Sequence, residues 1–559
     1  MELLAFVKKY HKLVFYGAWF AMNIIQAAAT ELLDDEAYYW IYSKFLDWGY
    51  YDHPPMIALL IKGGTLLFPG ELGVRFMIVV LNIATLLVVQ TLLEKKQPLL
   101  FYGILMSLAI AQVGGIIAAP DLPLMFFAAL FFLLYKRFTE NMSVVNTALL
   151  GVNIALMLYS KYHGVLIVLF TLLSNINLFR KYQTYIAGLI ALALFAPHLY
   201  WQYLHDFPSV QYHLVERNAT HYRLTYTIEY LLGQLLLVGP LMGWLLLWTA
   251  FRYKPASLTE RALKFSMIGF YAFFLVSTLK GRVEANWTVP VIVALLVLSH
   301  QFMSDRPQMQ KWLFNTVIFS LGLVLIFRVY LVMDVKGARW VKKDEFHQNK
   351  KWSANLRQKS GGLPLVSISS YQQASKYWFY TGIQSYSLNT PDYRRNNFNY
   401  WPVSDSLLGK TVYALGRYDP VILHDKVPGK GKEINGGAVI DSFFSFSKLQ
   451  IHNVKNITAA NGVVTLDCEI VIPPHYLPIF QTSPYNRATI QLGILNNDTV
   501  PDYFATNKSV NEIKAIKTKM QLRFNVPIQK GAYNGRLATE SRIKNQPTLN
   551  SSTFSFEMK

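Results

Sequence analysis

Apolar and polar positions divide this chain into two parts. Through residues 1–333, long apolar runs alternate with short polar breaks, whereas 334–559 carries only short apolar segments mixed with polar ones. The long runs match the roughly 20 residues a helix needs to cross a bilayer. By run length the candidate spans are about 13–30, 73–93, 98–118, 122–136, 144–160, 162–178, 183–200, 226–250, 265–279, 287–303 and 312–333, eleven in all. In the tail, Leu363-Pro364-Leu365-Val366-Ser367-Ile368 reads as a strand and is followed by a helix around 370–380. After about 437, short alternating segments such as Val463-Val464-Thr465-Leu466 and Ala488-Thr489-Ile490-Gln491-Leu492 predict an antiparallel β unit of sandwich type. The predicted fold is a polytopic α-helical membrane protein of about 11 spans, residues 1–333. A soluble C-terminal part follows, an α/β region at 334–436 and a β-rich region at 437–559.

Composition sharpens this division. Hydrophobic residues make up 53% of the 559 and charged residues 15%, against about a quarter charged in a soluble enzyme. The net charge of +20 is not that of a nucleic-acid binder. Its membrane-half cations sit in short loops, and no stripe of Lys and Arg interleaves with stacking aromatics. The single cysteine, Cys468, excludes an intrachain disulfide and a thiol metal cluster. The basic N-terminus, Met1–Lys12, leads into an apolar run without a small-residue cleavage site, so it reads as a retained first span.

Charge also orients the spans. With the N-terminus inside, the inner segments collect Lys8, Lys9 and Lys12, then Lys95 and Lys96, Lys136 and Arg137, Arg180 and Lys181, Arg252, Lys254, Arg261 and Lys264, and Arg306 and Lys311. This is the positive-inside pattern, and an odd number of spans places the tail outside. The outer segments then hold the remaining ionisable groups. They are the long loop 31–72, Pro120-Asp121, Ser160-Lys161-Tyr162-His163-Gly164, the stretch 201–225 with His205, Asp206, His213, Glu216, Arg217, His221 and Arg223, and Lys280–Trp287. Ionisable groups converging on one membrane face mark a wet functional cavity.

Within the first outer loop, Leu33-Asp34-Asp35-Glu36-Ala37-Tyr38-Tyr39-Trp40 precedes Tyr50-Tyr51-Asp52-His53-Pro54-Pro55-Met56. Carboxylates at a lipid–water boundary are partly desolvated, which favours a general base; the plain alternative is an acidic start to an interfacial helix. Asp35-Glu36, the charged residue before Pro54, Arg75-Phe76, Pro120-Asp121, Ser160-Lys161 and Gly281-Arg282-Val283-Glu284-Ala285-Asn286-Trp287 occur in that order. Taken together they resemble GT-C glycosyltransferases, in particular the protein O-mannosyltransferases and the lipid A aminoarabinose transferase. Tyr371-Gln372-Gln373-Ala374-Ser375, Phe379-Tyr380, Tyr393-Arg394-Arg395 and Tyr400-Trp401 carry the resemblance to about residue 400.

The resemblance implies the following roles. Asp35 is the base, Glu36 orients it, and Asp121 is the second acid, its plain alternative being a helix N-cap. Lys161 meets the lipid phosphate, unless it is a snorkelling interface lysine. His53 stands where relatives have a lysine, and Arg282 and Arg75 are further phosphate candidates, Arg75 being the better interfacial anchor. Tyr39, Asp52, His163, Glu284, Asn286 and Trp287 form the sugar or acceptor pocket, although a lone Trp such as Trp287 equally suits an aromatic belt. The donor is a polyprenyl-phosphate-linked sugar, the acceptor a glycan, lipid or protein, and the reaction inverts the anomeric carbon. No cofactor is specified. Asp52, His53, Asp121, His163 and His221 could supply ligands to a divalent metal, but no spacing defines a site. The alternatives are a transporter or flippase of lipid-linked sugars, which predicts internal repeats, and a glycan ligase with a diphosphate-linked donor. No Walker A loop, nucleophile elbow or dinucleotide fingerprint is present.

Overall fold

A computed structural model describes residues 9–217, 221–334, 344–430, 433–496, 500 and 502–559. The inner cation Lys8 lies outside them, as does the side chain of Glu216. The chain forms two compact units, Met1–His347 and Gln348–Lys559.

Unit one is helical. Five helices are long and apolar enough to cross a membrane, namely Gly70–Thr91, Asp121–Glu140, Tyr182–Leu204, Ala285–Met303 (its first turns 3₁₀) and Pro307–Val332. They fall on five of the predicted spans. Three further pairs pass the same test together but bend sharply. These are His11–Ala29 with Asp34–Tyr42 at 91°, Pro98–Ser107 with Ala109–Ile116 at 85°, and Leu224–Val238 with Gly243–Arg252 at 95°. Among the described residues five helices, or up to eight with the bent pairs, pass this test, and the count of eleven is not confirmed; Met56–Leu67, Val144–Ser160 and Gly164–Ser174 are shorter apolar helices.

Two of the bends meet. Gly239 has φ +149°, and a Cβ there would lie 2.5 Å from the backbone oxygen of Ser107. Only glycine permits both that backbone conformation and that approach. Pro240 follows and cannot donate to a helix ladder. The two broken helices thus touch at their breaks, where Ser107, Leu108 and Gly239 are buried and Pro240 is exposed.

The first outer loop differs from its expected form. Between 31 and 72 lie two helices, Asp34–Tyr42 and Met56–Leu67. The acidic run opens the first of these, where three carboxylates face the positive end of the helix dipole. Glu36, at the third position, accepts the backbone N–H of Leu33 at 3.0 Å.

Unit two holds two sheets. The first has the order β2–β1–β3–β5–β4, from β1 (Leu365–Ile368), β2 (Ser385–Leu388), β3 (Val412–Arg417), β4 (Asp425–Pro428) and β5 (Ile434–Ile440). β5 completes this sheet, so the break between regions comes after 440 and not at 436. The helix predicted around 370–380 spans Tyr371–Thr381; the Ser370 hydroxyl caps it by accepting the Gln373 N–H, and Gly382 ends it at φ +72°. The second sheet runs β12–β11–β8–β9–β10–β7–β6, with β13 beside β11. Its strands are β6 (Gln450–Ala460), β7 (Val463–Val471), β8 (Thr489–Leu495), β9 (Tyr503–Ser509), β10 (Lys517–Asn525), β11 (Gly531–Thr539), β12 (Thr548–Leu549) and β13 (Phe554–Met558). β9 and β10 are joined by the single pair Thr506–Phe524. On either side of this seam, Leu466 and Phe524 from one half and Ile490, Leu492 and Leu537 from the other bury into one core, a sandwich closed along one edge. In β7 every second residue, Val464, Leu466, Cys468 and Ile470, faces that core. Cys468 is thereby an inert core residue.

Candidate active site

The site is built on two buried ion pairs. The first joins Glu36 to Arg75. Arg75 is 1% exposed and donates from Nε to Glu36 Oε1 at 2.8 Å and from Nη2 to Oε2 at 2.5 Å. Its other donors reach the backbone oxygens of Ala27, Thr30 and Glu31 at 3.0, 2.6 and 3.0 Å. A guanidinium has five N–H groups, and all five are engaged. Arg75 is therefore neither a phosphate ligand nor an interfacial anchor. Glu36 also accepts the Ala118 N–H at 2.7 Å, so its buried carboxylate ties its own helix to Arg75 and to Ala118. Asp34 is buried, whereas Asp35 is exposed at the start of the helix that this clamp fixes.

The clamp yields a first prediction. Arg75→Met strands a buried carboxylate and is expected to cost on the order of 3–5 kcal/mol of stability, read as a fall in melting temperature in detergent. Donor affinity per folded molecule should be unchanged. A selective loss of donor affinity at normal stability would return Arg75 to the phosphate.

The second pair joins Lys161 to Asp121. Lys161 Nζ lies 2.6 Å from Asp121 Oδ1, with both side chains buried. Asn286 Nδ2 donates to the other oxygen of Asp121 at 3.1 Å. Pro120, not Asp121, occupies the N-cap of Asp121–Glu140 and makes no side-chain cap bond. A lysine held on a buried acid does not snorkel. Residues 40 and 165 positions apart thus meet on one carboxylate.

Around this pair stand most of the other predicted residues. The His163 ring lies 5.3 Å from Trp287 and 5.0 Å from Phe274. The Arg217 guanidinium sits 4.2 Å over the Trp287 ring and 3.9 Å from Glu284, which makes Trp287 a cation–π platform and not only a belt residue. Asp52 is buried, and its backbone oxygen accepts His213 Nε2–H at 3.0 Å. Burial pushes the His213 imidazole below its usual range, so it is neutral at neutral pH. His53 lies 5.7 Å from the ring of Tyr39 and 6.4 Å from that of His213. Arg282 is 64% exposed, pairs with Glu229 at 3.4 Å and shares Glu284 with Arg217, at 3.7 Å. Arg217 and His213 were visible only as two ionisable residues among many in 201–225; nothing local in sequence singles them out.

The chain is similar to known proteins in sequence and in fold. Residues 52–201 match the family model described as dolichyl-phosphate-mannose-protein mannosyltransferase. The lipid A galacturonosyltransferase RgtD of Rhizobium johnstonii is 26% identical over 289 residues, 48% of this chain and 60% of that protein. The chain thus spans about three fifths of the length of the curated relative it matches. ArnT from Cupriavidus metallidurans aligns over 77% of this chain and 98% of its own in the apo state, at 14% identity and TM-score 0.58. Its structure bound to undecaprenyl phosphate aligns over 76% and 98%, at 14% identity and TM-score 0.57. At that identity the likeness is one of fold. Residues 52–201 are thus similar to the dolichyl-phosphate-mannose-protein mannosyltransferase family, and the chain shares the fold of ArnT.

Proposed function

We propose that this chain is an inverting glycosyltransferase of the inner membrane, moving a sugar from a polyprenyl-phosphate carrier to an acceptor on the outer face. The observation that carries the proposal is the buried Lys161–Asp121–Asn286 group, bordered by the Arg217–Trp287 pair. Buried charge beside membrane helices is expensive and persists where it serves a function. The undecaprenyl phosphate held by the ArnT structure supports a polyprenyl-phosphate donor, and the galacturonosyl transfer to lipid A named for RgtD supports an outer-envelope acceptor.

In this reading Asp35 takes the proton of the acceptor hydroxyl. The resulting oxygen attacks the anomeric carbon as the bond to the carrier oxygen breaks, and the bonding pair leaves with polyprenyl phosphate. Lys161 and Arg217 stabilise the charge that grows on that phosphate. An ammonium has three N–H groups, so Asp121 can hold Lys161 by one while others meet phosphate. Asn286 and Trp287 offer a hydrogen-bonding edge and an aromatic face for a sugar ring. Arg282 serves the rim. The donor-side machinery is then Lys161 with Arg217, while Glu36 positions Asp35 through the backbone.

Sidedness is tested by labelling a Cys468→Ser background. A cysteine introduced as Tyr222→Cys or Arg282→Cys, both exposed positions, should react from outside intact cells. Lys96→Cys and Lys254→Cys, also exposed, should react only after permeabilisation. The opposite pattern would reverse the orientation and remove the outer-face site. Function itself is tested with purified chain in detergent, offered polyprenyl-phosphate-linked sugars and an envelope lipid extract; transfer with release of polyprenyl phosphate is the expected result.

A further inference from the structure

Past the end of Pro307–Val332 lies a second group of ionisable side chains, separate from the residues above. Asp334, Asp344 and His347 each bring one donor atom to within 4.8 Å of the others. His347 is 5% exposed, and both of its ring nitrogens face oxygen. Nε2 lies 2.6 Å from the backbone oxygen of Tyr330. Nδ1 lies 3.1 and 2.9 Å from Oδ1 and Oδ2 of Asp344. A carbonyl oxygen only accepts, so Nε2 carries a proton. Nδ1 faces a carboxylate, which is an acceptor. Either a second ring proton or a metal ion therefore lies between Nδ1 and Asp344.

The contact with Tyr330 is independent of the acids and points to the kind of cation. A ring nitrogen donating to a backbone carbonyl, with the other turned toward carboxylates, is how proteins orient a metal-ligating histidine. We infer that Asp334, Asp344 and His347 form a divalent transition-metal site. One imidazole nitrogen and two carboxylate oxygens suit Zn²⁺ or Mn²⁺, whereas Ca²⁺ and Mg²⁺ take oxygen ligands alone. The donor atoms draw together modestly to make bonds of about 2.0–2.2 Å. The site acts as a clasp, fastening the chain that follows the last long helix back onto Tyr330 within that helix. It does not depend on the proposed transfer reaction. Among the described residues, Asp52, His53, Asp121, His163 and His221 form no comparable triad.

Metal analysis of the full chain, purified in detergent and dialysed against micromolar Zn²⁺ or Mn²⁺, tests the assignment. The wild type should retain about one equivalent, and His347→Gln and Asp344→Asn should lose it. Added Zn²⁺ should raise the melting temperature of the wild type only. Should those variants fail to fold, Asp334→Asn serves instead, because Asp334 is exposed. It should weaken metal affinity by about tenfold or more with the metal-free melting temperature unchanged. Wild type without bound metal would mean that a proton fills the gap, as an imidazolium–carboxylate pair, and would overturn the inference. Equal metal content or affinity in the variants would overturn it too.

Discussion

Asp35→Asn is expected to lower turnover by on the order of a hundredfold or more, with donor binding largely intact. The substitution keeps the size of the side chain and removes its basicity. Asp35 is the exposed member of the acidic run, and the helix that presents it is fixed by Glu36, whose carboxylate is fully engaged below the surface. The amide therefore alters the chemical step without loosening its scaffold, and melting temperature should not change. Single-turnover rates with preloaded donor check this. A variant that transfers sugar at the wild-type rate would exclude Asp35 as the base and turn attention to its neighbour Asp34.

Lys161→Ala should weaken donor binding and slow transfer together, because the charge on the leaving phosphate grows in the transition state. The complication is structural. Removing the ammonium leaves Asp121 buried beside Asn286 without its cation, and breaking one side of such a pair costs about 3–5 kcal/mol. Loss of stability alone could then mimic loss of function. The double variant Lys161→Met/Asp121→Leu separates the two, since replacing a whole buried pair with apolar groups of similar size is often neutral or stabilising. It should be as stable as the parent and still bind polyprenyl phosphate poorly. Lys161→Arg should recover part of the affinity and less of the rate, because a flat fork replaces a point charge. Parental donor affinity in the stable double variant would assign the phosphate to Arg217 or His53.

Much of this fold was legible because hydrophobic period and length are local properties. Five long helices, the Ser370-capped helix and the alternating strands of the second sheet all follow from a few adjacent residues. The bends are a harder case. Gly239-Pro240 is a readable break, but the turn at Leu108 carries no signal of its own; it lies where Gly239 approaches the Ser107 carbonyl. Met56–Leu67 is too short for a span and too apolar for an ordinary loop, so run length alone leaves it within the outer segment. Pairing was the least legible property of all. Sequence places Arg75, Lys161, Arg217 and Arg282 on one face without saying which meets an acid. In the structure Arg75 closes on Glu36, Lys161 on Asp121, Arg217 on Trp287 and Glu284, and Arg282 on the rim. Apart from Glu284, which is close to Arg282 in the chain, those partners lie tens of residues apart, a distance at which periodicity carries no information.

The central claim, sugar transfer from a lipid carrier at the outer face, is tested most directly in the cell envelope. Mass spectrometry of envelope glycolipids and glycoproteins would compare cells expressing the wild-type chain with cells expressing Asp35→Asn at equal membrane abundance. The account predicts a single glycosyl increment on one class of envelope molecule, present with the wild type and absent with the variant, while the polyprenyl-phosphate sugar accumulates. Identical envelope glycans in the two strains, with no accumulated donor, would contradict it.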